Sequence, residues 1–208
     1  MRLRSSLLWM AALPAAGANF TYHIAGNQPG GWPVVLASIG LLSGSVREAG
    51  VVVIPGGAST SEPNWASRVE RGTILVLEGD SALAASFGFR AGAERVTVRS
   101  TDEIRAPKLK VVWEKPLDVA RFEVPEDARV LARERRTGAP LVASLRRGSG
   151  GVLWLAAPPG PHGYDRFPYL PQALRDLGLD PQFRSSRLWA FFDSAYRARV
   201  DLEYFAPR

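Results

Sequence analysis

Hydrophobic and polar positions along this chain fall into short, separated blocks, and the blocks differ in kind. Val51-Val52-Val53-Ile54 and Thr73-Ile74-Leu75-Val76-Leu77 are continuous apolar runs without polar alternation. Runs of that sort suit strands covered on both faces, as in a parallel sheet. Phe20 to Ala25 reads as an earlier strand, closed by the turn-rich Gly26-Asn27-Gln28-Pro29-Gly30-Gly31. Between the strands lie helical signals. Trp32 to Leu42 begins with Pro33, where a first turn tolerates it, and Ser61-Glu62-Pro63-Asn64 opens a second helix with Trp65 and Val69 on one face and Gly72 at its end. Gly79-Asp80-Ser81 turns into a third helix through Ala82-Leu83-Ala84-Ala85. The succession predicts βα units building a parallel sheet with helices on both faces.

The middle of the chain changes pattern. Strand-like pieces at 95–98, 109–113 and 141–145 are separated by Pro107, Pro116, Pro125 and Gly138-Ala139-Pro140, and predict antiparallel strands on one edge of that sheet rather than a second domain. Gly148-Ser149-Gly150-Gly151 predicts a hairpin turn into Val152-Leu153-Trp154-Leu155-Ala156. Phe167, Leu170, Leu174 and Leu177 are spaced for one face of a last helix. From Leu188 to Arg208 the chain is crowded with large aromatics: Trp189, Phe191, Phe192, Tyr196, Tyr204 and Phe205. Such a segment either docks back on the sheet or begins a further domain.

The ends of the chain bear on compartment. Arg2 and Arg4 precede the apolar run Leu7 to Leu13, Pro14 breaks it, and Ala16-Gly17-Ala18 supplies a small-x-small cleavage pattern. Residues 1–18 therefore read as a removable signal peptide, too short for a stable membrane span, although a buried first helix or strand would share the pattern. The expected location is the periplasm or the exterior. Cleavage would take two arginines from a formal net charge of +6, and the remaining ones are scattered, with pairs only at Arg135-Arg136 and Arg146-Arg147. Nucleic-acid binders gather charge into patches or interleave it with aromatics, so no nucleic-acid partner is expected.

The chain has no cysteine and two histidines. Disulfides, thiolate metal sites and a cysteine nucleophile are excluded together, and a zinc site is not expected; no cofactor is implied.

Three stretches carry a resemblance: Val51 to Gly57, ending in Pro-Gly-Gly; Arg68 to Gly79; and Gly148 to Leu155. Over about residues 45–180 the chain resembles the class I glutamine amidotransferase-like superfamily, in its non-catalytic, cysteine-less branch. The resemblance implies an α/β fold: a flavodoxin-like three-layer sandwich, mainly parallel, with an antiparallel edge. It divides the chain into a signal peptide (1–18), an amidotransferase-like domain (19–187) and the aromatic extension (188–208). Domains of this kind often accompany carbohydrate-active enzymes in exported proteins. Catalytic members place a cysteine in the turn after a central strand and a His-Pro-Glu segment late in the chain. Here that turn reads Glu78-Gly79-Asp80-Ser81, and the late segment Pro158 to Asp165 lacks the His-Pro-Glu order. The family's thiolate route to glutamine hydrolysis is closed.

Three functional expectations follow. The first is an accessory domain beside a hydrolase domain in the same polypeptide. The second is a carbohydrate or small-ligand module using Trp32, Trp65, Tyr164 and Tyr169 as platforms and Asp80 or Asp165 as hydroxyl acceptors. The third is a serine hydrolase with Ser81 as nucleophile, His162 as base and Asp165 as orienter, the serine sitting at a strand-to-helix turn where backbone N–H groups can face an oxyanion. Against it, Asp80 and Ser81 are ordinary helix N-caps, and His23 reads as a strand residue.

Overall fold

The computed structural model describes residues 20–26, 29–58, 64–108 and 110–179. The signal-peptide segment, the boundary at 187 and the aromatic extension lie outside them. In chain order the elements are β1 (Thr21–Ile24), α1 (Trp32–Ser38), β2 (Leu42–Ser43), β3 (Val51–Ile54), α2 (Trp65–Glu70), β4 (Ile74–Glu78), α3 (Ala82–Ser86), β5 (Arg90–Glu103), β6 (Lys110–Glu123), β7 (Arg129–Glu134), β8 (Pro140–Arg147), β9 (Gly150–Leu155) and α4 (Leu170–Asp176). Strands dominate this mixed α/β fold, and those among the described residues all belong to one nine-stranded sheet in the order β2-β1-β3-β4-β9-β8-β7-β5-β6.

That sheet is not mainly parallel. The junctions β2–β1, β1–β3, β3–β4 and β4–β9 are parallel. Those from β9 through β8, β7 and β5 to β6 are all antiparallel. The expected antiparallel edge is thus half of the sheet, and it holds the longest strands, β5 and β6 at 14 residues each. The short pieces at 95–98 and 109–113 are fragments of these two. Their extent is hidden in the sequence because one side of the ribbon is wet, so polar residues and Pro116 interrupt the apolar pattern. The charge-rich β7 escapes the pattern for the same reason.

Helix ends are set by local chemistry. α1 stops at Ser38, short of the Leu42 expected, because Gly40 takes a φ of +88° and the chain closes with Gly40 N–H donating to Ala37 O and Leu41 N–H to Leu36 O. This is the Schellman arrangement, which satisfies the last carbonyls. Leu42 is then free to enter β2 beside Thr21 of β1. The same pair of bonds closes α2, α3 and α4 at Gly72, Gly88 and Gly178.

The core centres on β9, whose six residues are all buried. At Gly150 a Cβ would come within 2.5 Å of Val69 O in α2, and at Gly151 within 2.6 Å of Leu177 Cδ2 beyond α4. Successive strand residues face opposite ways, so α2 and the end of α4 close on β9 from opposite sides. Further along, the fully buried Trp154 stacks on Phe89 at 5.3 Å and meets Phe122 of β6 at 4.6 Å. Its indole N–H donates to Gly79 O at 3.0 Å. The β5–β6 ribbon is thereby pinned over the end of the parallel strands. Replacing Trp154 with alanine removes both ring contacts and opens a cavity. Trp154→Ala is expected to lower the unfolding free energy by about 3–5 kcal/mol, read from urea denaturation; a loss under about 1 kcal/mol would mean the ribbon is held elsewhere.

Candidate functional site

In an α/β sheet the carboxyl ends of the parallel strands are where a ligand crevice forms. Here that end is built from the loop after β3 (Pro55 to Ala58), the turn after β4 (Gly79 to Ser81), the start of α1 and the long segment after β9 (Ala156 to Asp165). Its most unusual group is Glu78, the last residue of β4, only 6% exposed at the end of an otherwise apolar strand. One carboxylate oxygen accepts the Trp32 indole N–H at the start of α1, and the other accepts the Gly56 N–H at 3.1 Å. Burial pushes the Glu78 carboxyl above its ordinary range, while the Trp32 and Gly56 hydrogen bonds and the nearby Arg166 charge oppose that rise. Both oxygens are engaged by the protein's own donors, and they tie β4, α1 and the β3 loop together. The clue in the sequence is an acidic residue closing the run Ile74 to Leu77, where a solvated turn residue is the simpler reading.

Arg166 lies on the same side. Its guanidinium donates to Pro158 O at 3.0 Å and sits 5.3 Å over the Trp113 ring. Trp113 in turn donates its indole N–H to Arg166 O at 3.2 Å and meets Phe167 edge-on. The segment after β9 is also fastened to α1. Tyr164 places its hydroxyl 2.5 Å from Ser38 Oγ and donates to Val35 O at 3.3 Å. Burial raises the Tyr164 phenol to about 12, against the Ser38 hydrogen bond. The approach is so close that a Cβ on Gly31 would stand 2.0 Å from Gly160 O.

Two of the three residues expected to act as a triad accept backbone N–H groups. Ser81 caps α3, its Oγ accepting the Ala84 N–H at 3.0 Å. Asp165 accepts the backbone N–H of His162 at 2.9 Å, which closes the loop and leaves the imidazole out of the bond. Among the described residues no hydrogen bond joins Ser81 to His162, or Asp165 to the His162 ring. His23 lies in β1 with Nδ1 3.2 Å from Gly44 O, a strand residue as expected. Of the four aromatics considered as platforms, Trp32, Trp65 and Tyr169 are buried, and Tyr164 is half-buried with its hydroxyl bonded. Asp80 and Asp165 are exposed. No cluster of three or more histidine, aspartate or glutamate side chains suited to a metal ion occurs among the described residues, and no described helix is long and apolar enough to cross a membrane.

Two further buried carboxylates belong to the antiparallel half. Glu134 accepts the backbone N–H groups of Arg136 and Thr137 at 2.8 and 2.6 Å, together with the Thr137 hydroxyl, and so shapes the β7–β8 turn. Glu103, at the end of β5, is pushed up to about 7 by burial, with the Arg105 charge pulling the other way. Arg105 itself pairs with Asp176 at the end of α4.

No family model matches the sequence, and no curated protein matches it. Solved structures do. A β-galactosidase from Bacillus circulans sp. alkalophilus matches with TM-score 0.53 and 15% identity, over 79% of this chain and 32% of that one. A catalytic mutant of a GH42 β-galactosidase from G. stearothermophilus gives TM-score 0.53 at 13% identity, over 77% and 30% of the two chains. A ThuA-like protein from Parabacteroides merdae gives TM-score 0.40 at 14% identity, over 65% of this chain and 78% of that one. This chain spans about a third of the length of the β-galactosidases it resembles. At such identities the likeness is one of fold.

The two acidic groups lead to separate expectations. Glu78→Leu strands two buried N–H donors and is expected to cost about 2–4 kcal/mol of stability, with Glu78→Gln, which keeps one acceptor, losing less; equal denaturation midpoints for Leu and wild type would dissolve the proposed tie. Glu103 holds its proton in the folded state up to about pH 7, against an ordinary value of 4.5. Folding therefore takes up a proton between those values, and stability falls as pH rises through that window. Glu103→Gln should remove roughly 1–3 kcal/mol of that fall, measured as the difference between unfolding free energies at acid and slightly alkaline pH; parallel curves for the two proteins would refute it.

Proposed function

We propose that this chain is a non-catalytic, amidotransferase-like accessory domain of an exported protein, and that it supports a carbohydrate-active partner domain in the same polypeptide. The observation that carries this reading is the commitment of the oxygen groups at the strand ends to the fold. Ser81 Oγ serves as a helix cap, Asp165 closes its own loop, and both Glu78 oxygens accept internal donors. A nucleophile needs a base within hydrogen-bond reach, and the absence of a Ser81–His162 bond favours a scaffold over a serine hydrolase. The burial of Trp32, Trp65 and Tyr169 favours it over a sugar-stacking module.

Architecture supports the same reading. Helices approach β9 from both sides, which suits a flavodoxin-like sandwich extended by the β5–β8 half. The match to about a third of two β-galactosidases fits a domain that sits beside a catalytic one. In such an arrangement the fold supplies a rigid support, and the chemistry is carried by the neighbour.

Two measurements test this. A fluorophosphonate probe should leave the purified protein unlabelled; labelling that disappears in Ser81→Ala would install Ser81 as a nucleophile. The intact mass of the native protein, recovered from its own exporting cells, should lie well above that of residues 19–208; a mass equal to that segment would make it free-standing and sink the partner-domain reading.

A further inference from the structure

β6 is the last strand of the sheet, and among the described residues none pairs with its outer side. Its first five residues, Lys110-Val111-Val112-Trp113-Glu114, precede Lys115-Pro116, where proline brings no N–H to the ladder and the register with β5 shifts. Within this stretch Val112 is 73% exposed, the most exposed large apolar side chain among the described residues, while Trp113 on the opposite face is buried. A hydrophobe displayed on an open strand edge is the feature that folded proteins ordinarily suppress.

The ladder shows which backbone groups are available there. Val112 lies opposite Ser100 and Lys110 opposite Asp102. Ser100 turns its C=O toward β7, accepting the Arg135 N–H at 3.3 Å, and Ile104 likewise donates its N–H to Leu131 O on that side. In an antiparallel pair the N–H and C=O of one residue point the same way, and residues alternate. Even-numbered residues at this end of β5 therefore bond toward β7. Their partners Val112 and Lys110 turn their own N–H and C=O outward, to the open edge.

The exposed side chains on this row are Lys110, Val112 and Glu114, with opposite charges two residues to either side of the valine. Placed antiparallel against its own copy about a two-fold axis at Val112, the segment sets Val112 against Val112, Lys110 against Glu114, and Glu114 against Lys110. Every charge meets its opposite, and the outward N–H and C=O of Val112 find the same groups of the other chain. A two-fold interface is self-complementary by construction. A foreign strand would have to bring the matching acid and base itself, whereas a second copy brings them automatically.

We infer that the β6 edge over Lys110–Glu114 is a pairing surface for a second copy of this chain, joining two nine-stranded sheets into one across a two-fold axis at Val112. The purified protein should show concentration-dependent dimerisation in sedimentation velocity over roughly a hundredfold range of concentration. Lys110→Glu sets acid against acid in both flanking pairs, and Glu114→Lys sets base against base; each should weaken the dimer by about tenfold or more. These side chains are exposed, so both variants should melt with the wild type, and circular dichroism checks that they remain folded. Mixing the two variants restores both opposite-charge pairs in the heterodimer, as does combining the substitutions in one chain, and either should recover association. A wild type that stays monomeric throughout would overturn the proposal. So would a dimer indifferent to the single reversals, or folded variants whose mixture fails to associate.

Discussion

A strand buried on both faces has to lose its water on each side while every N–H and C=O keeps a partner. In this protein that demand falls hardest on β9. It runs parallel to β4 on one flank and antiparallel to β8 on the other, so the sheet changes character across a single strand. Its first two residues are glycines because α2 and the end of α4 come too close for side chains there, and its Trp154 spends its indole N–H on the turn after β4. From this strand the parallel half extends through the dry β4 and β3 to the half-buried β1 and exposed β2, and the antiparallel half ends in the long, half-wet β5 and β6. The β5–β6 ribbon returns to it through Phe122, so both halves share one hydrophobic centre.

The carboxyl ends of the parallel strands show how the same physics settles polar groups. A buried carboxylate is costly unless its oxygens are satisfied. Glu78 meets that cost with one indole and one backbone N–H drawn from two different elements, and in doing so holds the β3 loop and the start of α1 in place. Beside it the segment after β9 packs on α1 through Tyr164 and through glycines at backbone distance. The result is a firmly tied strand end in which polarity is turned inward.

The antiparallel half turns the problem outward. Its inner face packs under the segment around Phe167, with Trp113 and Arg166 locked to one another. Its far edge leaves backbone groups and an exposed valine between a lysine and a glutamate. Among the described residues the sheet thus has two edge strands, the short exposed β2 and the long β6.

Local chemistry determined much of this on its own. Short continuous apolar runs bounded by glycine or proline specify β3 and β4, and the turns at Gly72, Gly79 to Ser81 and Gly148–Ser149 follow from residues that take unusual backbone angles or cap helices. Ser81 as a cap was legible, because Oγ and the Ala84 N–H are three residues apart. Tertiary structure decided what depends on distant partners: the extent of β5 and β6, the presence of β7, the equal division between parallel and antiparallel pairing, and the burial of Glu78. Proline and charge within β6 look like interruptions until β5 lies beside them. Glu78 looks like a solvated turn residue until Trp32, 46 positions earlier, covers it. Periodicity reports which face of a segment is dry, but only the completed sheet determines which neighbour dries it.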